Sequence, residues 1–321
     1  MSSTTSKRRS GNALHLMTEA TPGGTPHRPP ASSAEVAAAS SSALFLGYRA
    51  PLPGNDSRYF DVTVAHETRL LGVPALASAA ARTAENTVGV TVLEAVLGSR
   101  SIAGFADFRV AGYLAPLARA ALLGERLGKV LARLTHGDAR SFARALEAAG
   151  PDHVRGALYE AINVALGAGR DATLRDAMRF AATGTPGDPM AREYARKFEV
   201  TRELALPSLV GALARAEAAR PALVQAYLEV LAEAPDPDVT SRAGRKEAEE
   251  VSRMAHGVLK SGGAYSRRGV QAVTNLDGLL RSDTRLKPSA TEAPIIAAAF
   301  LLALEHGPGY LNGRVRPAPH R

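Results

Sequence analysis

Apolar positions along the chain recur mostly at helical spacing, in runs punctuated by Pro and Gly. From Arg245, the residues Ala248, Val251, Met254, Ala255, Val258 and Leu259 follow one another at intervals that keep one helix face, with Glu249 and Arg253 four apart on the other. Gly262-Gly263 should end that helix. From Asp188, the positions Ala191, Tyr194, Ala195, Phe198 and Ala205 hold one face up to Pro207, which lacks the amide donor and is expected to break the ladder. Pro221 suits the first turn of a helix over Ala222–Ala232, and Thr135-His136-Gly137-Asp138 has the form of a capping box ahead of Ala139–Ala149. Alternating β-branched runs are almost absent; the best, Val88-Gly89-Val90-Thr91-Val92, leads straight into helical spacing. About ten helices follow from this pattern, and the abundant alanine would let them approach closely. The expected fold is all-α, a single compact multi-helix domain.

The two ends read differently. Residues 1–30 are rich in Ser, Thr, Gly and Pro, and residues 307–321 carry Pro308, Pro317 and Pro319, so both are expected to be disordered basic tails around a folded body of residues 31–306. The net charge of +8 belongs largely to these ends. Lys7, Arg8, Arg9 and Arg28 against Glu19 give about +3, Arg314, Arg316 and Arg321 about another +3, and only about +2 remains for the body. A nucleic-acid binder would concentrate that charge on a folded face with aromatics to stack on, and only 5% of the residues are aromatic, so no nucleic-acid partner is expected. The absence of cysteine excludes disulfides, a thiol nucleophile and thiolate metal sites. The longest apolar run, Ala293–Leu304, is short of the roughly 20 residues that span a bilayer, so no membrane partner and a cytoplasmic location are expected.

The phosphate loop G-x-x-x-x-G-K-[ST], the dinucleotide fingerprint, H-E-x-x-H and G-x-S-x-G are all missing. Phosphates would then have to be met by helix N-termini, Arg and Lys side chains or carboxylates holding a divalent cation. Four polar loops between apolar helices offer such groups. Pro51–Asp61 mixes an amide, a hydroxyl, a guanidinium and two carboxylates, though Pro53-Gly54-Asn55-Asp56 is equally good turn chemistry. Pro235–Arg245 places Asp236 and Asp238 before Arg242 and Arg245, which a capping turn with solvated charges would also explain. In Arg281–Glu292, Ser289 or Thr291 could cap the following apolar helix, with Lys287 near its anion-attracting amides. In Gly184–Asp188, Asp188 reads most simply as an N-cap.

Taken in order, the sequence resembles the triphosphoribosyl-dephospho-CoA synthases, which make the prosthetic-group precursor of citrate lyase and malonate decarboxylase, and especially their archaeal-type and methylotroph relatives. The likeness runs through about residues 35–306. Pro53-Gly54-Asn55 with Ser57-Arg58 and Phe60-Asp61 carries it, then Ala191–Glu199 leading to Leu206-Pro207, and Ala234-Pro235-Asp236 with Arg242-Ala243-Gly244. It continues through Ala248–Arg253 with Gly262-Gly263 and through Leu276-Asp277 with Leu280-Arg281. The chain departs from the family pattern in several loops. Leu52 stands where relatives carry a lysine; Gly104-Phe105-Ala106-Asp107-Phe108-Arg109 stands before Val110–Leu123 where they carry an Asn-Thr-Asn or Asn-Thr-His loop; Asp236-Pro237-Asp238 replaces Asp-Thr-Asn; and Leu286–Glu292 replaces Asn-Pro-Gly-Thr-Thr-Ala-Asp.

The resemblance implies an all-α transferase of coenzyme biosynthesis. In its reaction the ribose 2′-hydroxyl of dephospho-CoA attacks C1′ of ATP, adenine leaves, and the triphosphoribosyl group ends in an α-glycosidic bond. Such a displacement calls for a carboxylate to activate the hydroxyl. Asp236 and Asp61 are the candidate catalytic carboxylates. Asp61, Asp188, Asp236 and Asp238 are candidate ligands for Mg²⁺ on the ATP triphosphate. Arg58, Arg242 and Lys287 are candidate phosphate contacts, and Gly54, Asn55, Ser57, Ser289 and Thr291 complete the expected binding surface. Two alternatives remain: a related ribosyl or ribosyl-phosphate transfer in methanopterin-type coenzyme assembly, and a helical nucleotide-binding or interaction protein without turnover.

Overall fold

The segment before His306 is apolar on every side, and a helix with no polar face has to be buried. In the structure, a computed structural model that describes residues 29–56, 65–216 and 218–312, that helix is Glu292–His306, with Ala293 to Glu305 all buried. Fifteen α-helices and no strand occur among the described residues. In chain order they are α1 (Ser33–Arg49), α2 (Ala65–Ala81), α3 (Val88–Ala103), α4 (Phe108–Leu123), α5 (Leu127–Ala132), α6 (His136–Ala149), α7 (Ala157–Gly167) and α8 (Leu174–Ala182). There follow α9 (Pro189–Ala195), α10 (Leu206–Arg215), α11 (Ala219–Glu233), α12 (Pro237–Ala243), α13 (Arg245–Lys260), α14 (Arg267–Ser282) and the central α15 (Glu292–His306). Helices α1, α4, α10 and α11 pack around α15, and one apolar cluster runs continuously from Ala31 to Leu311.

Several helices sit where the spacing puts them. Helix α13 buries Ala248, Val251, Ala255 and Val258, and Thr135 and Asp138 cap α6 reciprocally. Val88–Val92 is the first turn of α3, not an extended run. Pro221 is the third residue of α11, where an amide would have no intrahelical partner in any case.

The face from Asp188 to Ala205 is not one helix. Helix α9 ends at Ala195, which is exposed, Lys197 and Phe198 take φ of 55° and 60°, and a π-helical turn covers Thr201–Ala205. The cause is Glu193, a buried carboxylate that accepts from the amides of Val200 at 2.8 Å and Thr201 at 3.0 Å and so replaces the helical ladder there. Pro207 consequently opens α10 rather than ending a helix.

At the C-terminal end, order continues past residue 306. A 3-10 turn over Pro308–Asn312 buries Leu311 and lays Tyr310 against His306, with ring centroids 4.3 Å apart. Residues 1–28 and 313–321, which hold most of the expected tails, lie outside the described residues. Among those described, no helix is long and apolar enough to cross a membrane.

Candidate active site

The turn after α1 is fastened to the far end of the chain. Gly54, at φ 78°, donates its amide to Asp277 Oδ1 at 2.7 Å, and a Cβ there would lie 3.0 Å from Pro288 Cδ and 3.1 Å from Leu280 Cβ. Only glycine suits both the backbone and the space. The buried Asn55 donates to the Tyr227 hydroxyl at 2.9 Å, and that hydroxyl lies 3.1 Å from the Pro53 carbonyl and 3.2 Å from that of Pro288. Arg281 grips Asp277 and the Asn55 carbonyl, and Lys287 pairs with Asp56 at 3.1 Å.

Asp236 holds the loop before α12 to the loop before α15. Its Oδ1 accepts from the amides of Asp238 (2.9 Å) and Val239 (3.2 Å), and its Oδ2 from the amide (2.9 Å) and hydroxyl (2.7 Å) of Thr291. Thr291 therefore spends its hydroxyl on Asp236, and neither it nor Ser289 caps α15. Burial, and then the charge of Asp238, push the Asp236 carboxyl up to about 6 against these donors. Asp238 is gripped by Arg109 through two hydrogen bonds, 2.6 and 3.1 Å, and by the Ser289 hydroxyl at 2.6 Å. Burial works against its ionisation, but Arg109 outweighs it and holds the carboxyl below its ordinary range. Arg242, exposed, reaches the carbonyls of Arg285 and Lys287 and the Ser289 hydroxyl.

A second charged group lies under these loops. The buried Arg69 guanidinium bridges Asp107 Oδ2 and Glu292 Oε2, each at 2.9 Å, and sits 4.0 Å from the centroid of the Tyr48 ring. The Tyr48 hydroxyl donates to the same Asp107 oxygen at 3.1 Å, while Asp107 Oδ1 caps α4 through the Val110 amide. Burial raises the Glu292 carboxyl, opposed by Arg69, which stays charged. A buried charge with two partners fixes one arrangement of α2, α4 and α15, because removing any member strands the others.

Between α4, α9 and α12 opens a cleft of about 230 Å³. Phe108, Leu146, Leu158 and Met190 are among its apolar walls, and Arg109, His153, Asp188 and Asp238 its polar ones. Asp188 caps α9 with one oxygen, Oδ1, through the Ala191 amide at 2.8 Å, and burial raises its carboxyl. Burial, with Arg109 beside it, lowers His153.

Of the four carboxylates expected to hold magnesium, Asp188, Asp236 and Asp238 are among the described residues and Asp61 is not. Asp236 has two donors on each oxygen and Asp238 is clasped by Arg109 and Ser289. Among the described residues no group of three acidic or histidine side chains is placed to hold a metal. Ser57, Arg58 and Asp61 lie outside the described residues.

Over residues 33–311 the chain matches the CitG family, described as ATP:dephospho-CoA triphosphoribosyl transferase. It belongs to this family. A solved chain from Archaeoglobus fulgidus, described as a candidate triphosphoribosyl-dephospho-CoA synthase, shares the fold. The two are 21% identical with a TM-score of 0.54, over 74% of this chain and 99% of that one. No curated protein matches the chain. A triphosphoribosyl transferase takes ATP and dephospho-CoA as substrates, and the all-α architecture is the one the resemblance implied.

Of the segments that carry the resemblance, Pro53–Asn55, Asp236, Arg242 and Asp277–Arg281 are joined to one another or to the loop before α15, while Ser57, Arg58, Phe60 and Asp61 lie outside the described residues. The sequence reading did not single out Arg69, Tyr48, Arg109, His153 and Tyr227. Arg69 had a signal, a lone guanidinium entering the apolar run Leu70–Ala81. Arg109 had one too, a charge placed between Phe108 and Val110 at a helix start.

Proposed function

We propose that this group of loops carries the transfer of the triphosphoribosyl group of ATP to the ribose 2′-hydroxyl of dephospho-CoA. The match to the transferase family over residues 33–311 carries this reading. In the reaction the acceptor oxygen bonds to C1′ of ATP as the C1′–N9 bond breaks, its electron pair leaves with adenine, and the hydroxyl proton is balanced by one taken up by the base. A single in-line displacement inverts C1′ from β to α.

The residues divide between positioning and contact. Asp236, with all its hydrogen bonds turned inward, ties α12 to the Thr291 turn, and the Arg109–Asp238 pair fixes the wall of the cleft. Asp188 lines the same cleft and caps α9 through Oδ1, so it is better placed to pass a proton to the departing adenine than Asp236, whose oxygens are both taken up by donors of the fold. Among the described residues Lys287 pairs with the half-exposed Asp56, an ion pair of small worth that a triphosphate would displace; Arg242 is exposed beside it. Gly54, Asn55, Ser289 and Thr291 shape the surface these groups share. Mg²⁺ enters this reading only as the ion that accompanies the triphosphate of ATP.

The test is chromatographic detection of free adenine. Incubation with ATP, Mg²⁺ and dephospho-CoA should release it, and omission of either nucleotide should abolish release. Asp188→Asn keeps a good helix cap and should lower turnover about 10²–10⁴-fold. Release that needs phosphoribosyl pyrophosphate in place of ATP would overturn the donor assignment, and an unchanged Asp188→Asn rate would remove that residue from the chemistry.

A further inference from the structure

Near Arg69 lies a histidine that the preceding reading does not use. His66, in the first turn of α2, is 3% exposed, and neither ring nitrogen has a hydrogen-bond partner among the described residues. A neutral imidazole carries one donor and one acceptor, and leaving both unmatched in a buried place is costly and uncommon. Its position is not random with respect to the site. Arg69 lies three positions further on, so the two side chains share a helix face, and Arg69 holds Asp107, Glu292 and the Tyr48 ring.

We propose that His66 is a substrate-contacting base of the transfer reaction, receiving the proton of the acceptor hydroxyl as its oxygen bonds to C1′ of ATP. This rests on the transferase reading above. The C1′–N9 electron pair leaves with adenine, which takes up a proton from Asp188, itself reprotonated from solvent, and the imidazolium returns its proton to water, so the net change moves one proton from hydroxyl to adenine.

Two observations favour His66 in this role. The carboxylates around Arg69 are committed, Asp107 and Glu292 both to its guanidinium, Asp236 is held by four donors and Asp238 by Arg109, which leaves Asp188 to serve the departing adenine. The groups facing the ring also keep it neutral. Arg49 and Tyr48 come from α1 and Glu67 and Arg69 from α2 itself. Burial first, and then the two arginines, lower its proton affinity, against Glu67 and the Tyr48 backbone, which lies outside hydrogen-bond geometry. A base with depressed proton affinity is free to accept at neutral pH, and its contribution is lost as pH falls below the ordinary histidine range.

The experiment compares wild type, His66→Gln and His66→Ala in adenine release across pH 5–8.5, with ATP binding measured on each. His66→Gln should bind ATP within a few-fold of wild type and turn over about 10²–10⁴-fold more slowly, with the acid limb of its profile flattened. Added imidazole should restore His66→Ala at least about tenfold. A His66→Gln rate within threefold of wild type overturns the proposal. So does a slow variant that keeps the wild-type acid limb and gains nothing from imidazole, since that marks a structural role. If wild type itself releases no adenine, the transferase reading fails first. A fluorine-labelled imidazole reporter then decides the contact alone, by whether ATP with dephospho-CoA shifts the His66 resonance.

Discussion

At the scale of single residues, Asp236 shows how a side chain picked out for chemistry can be occupied by structure. Its sequence setting, Pro-Asp-Pro-Asp ahead of two arginines, advertises carboxylates, but four donors converge on this one and none comes from outside the fold. The consequence is thermodynamic. Folded Asp236 keeps its proton up to about pH 6, whereas an unfolded aspartate loses it near 4, so the fold favours the protonated form. Stability from this group is fully present below about pH 4 and is lost as pH rises through 6. Asp236→Asn cannot titrate. The unfolding free energy of wild type minus that of the variant should therefore fall by roughly 2 kcal/mol between pH 4 and pH 7 in urea denaturation. A difference that stays flat, or grows with pH, contradicts the assignment. Burial outweighs donation here, which the sequence could not reveal, because nothing in Pro235–Asp238 says that Thr291 will be its partner.

Among helices, close approach decides more than polarity. Helices α3 and α6 meet at Gly89, whose amide donates to Asp138 Oδ1 at 2.7 Å; a Cβ at this position would fall 2.5 Å from the Asp138 carbonyl oxygen and 2.6 Å from its Cα. Backbone cannot yield as a side chain can. Gly89→Ala should therefore cost about 2 kcal/mol or more in urea unfolding. Gly98 on the same helix meets only the Ala75 Cβ at 3.2 Å, and Gly98→Ala should fall within about 1 kcal/mol of wild type, since helix propensity offsets the contact. Equal costs at the two positions would show that the α3–α6 contact is not the tight one. The same elements mark how far the sequence could be read. Helix α13, the Thr135 capping box and the Asp188 cap were legible, because each depends on residues within one or two turns. The break after α9 was not, because it depends on where a buried Glu193 finds its donors. Among the described residues fifteen helices appear where spacing suggested about ten, since short ones such as α5, α9 and α12 offer too few turns for a period to register.

For the whole molecule, the question is whether loops far apart in sequence act as one site. The geometry joins them by long-range bonds: Gly54 to Asp277, Asp107 to Arg69 and Glu292, Arg109 to Asp238, and Asp236 to Thr291. The sequence held the pieces and their order, but the links depended on side chains, Arg69 and Arg109 above all, that stand singly in helices rather than in a motif. Ligand binding should report the union. ATP at a hundred times its dissociation constant adds about 2.7 kcal/mol to the native state, which for a body of this size raises the melting temperature by roughly 4–5 °C. Hydrogen exchange under the same condition should slow together at residues 51–56, 104–109, 184–190, 235–242 and 284–292, and remain unchanged in the surface cleft lined by Ser261, Arg267, Arg268 and Asn275. Slowing confined to one loop would break the site into separate features. Slowing at the second cleft alone would move nucleotide binding to the other end of α14, leaving the charged loops as scaffolding, because a ligand stabilises most strongly the segments it ties together.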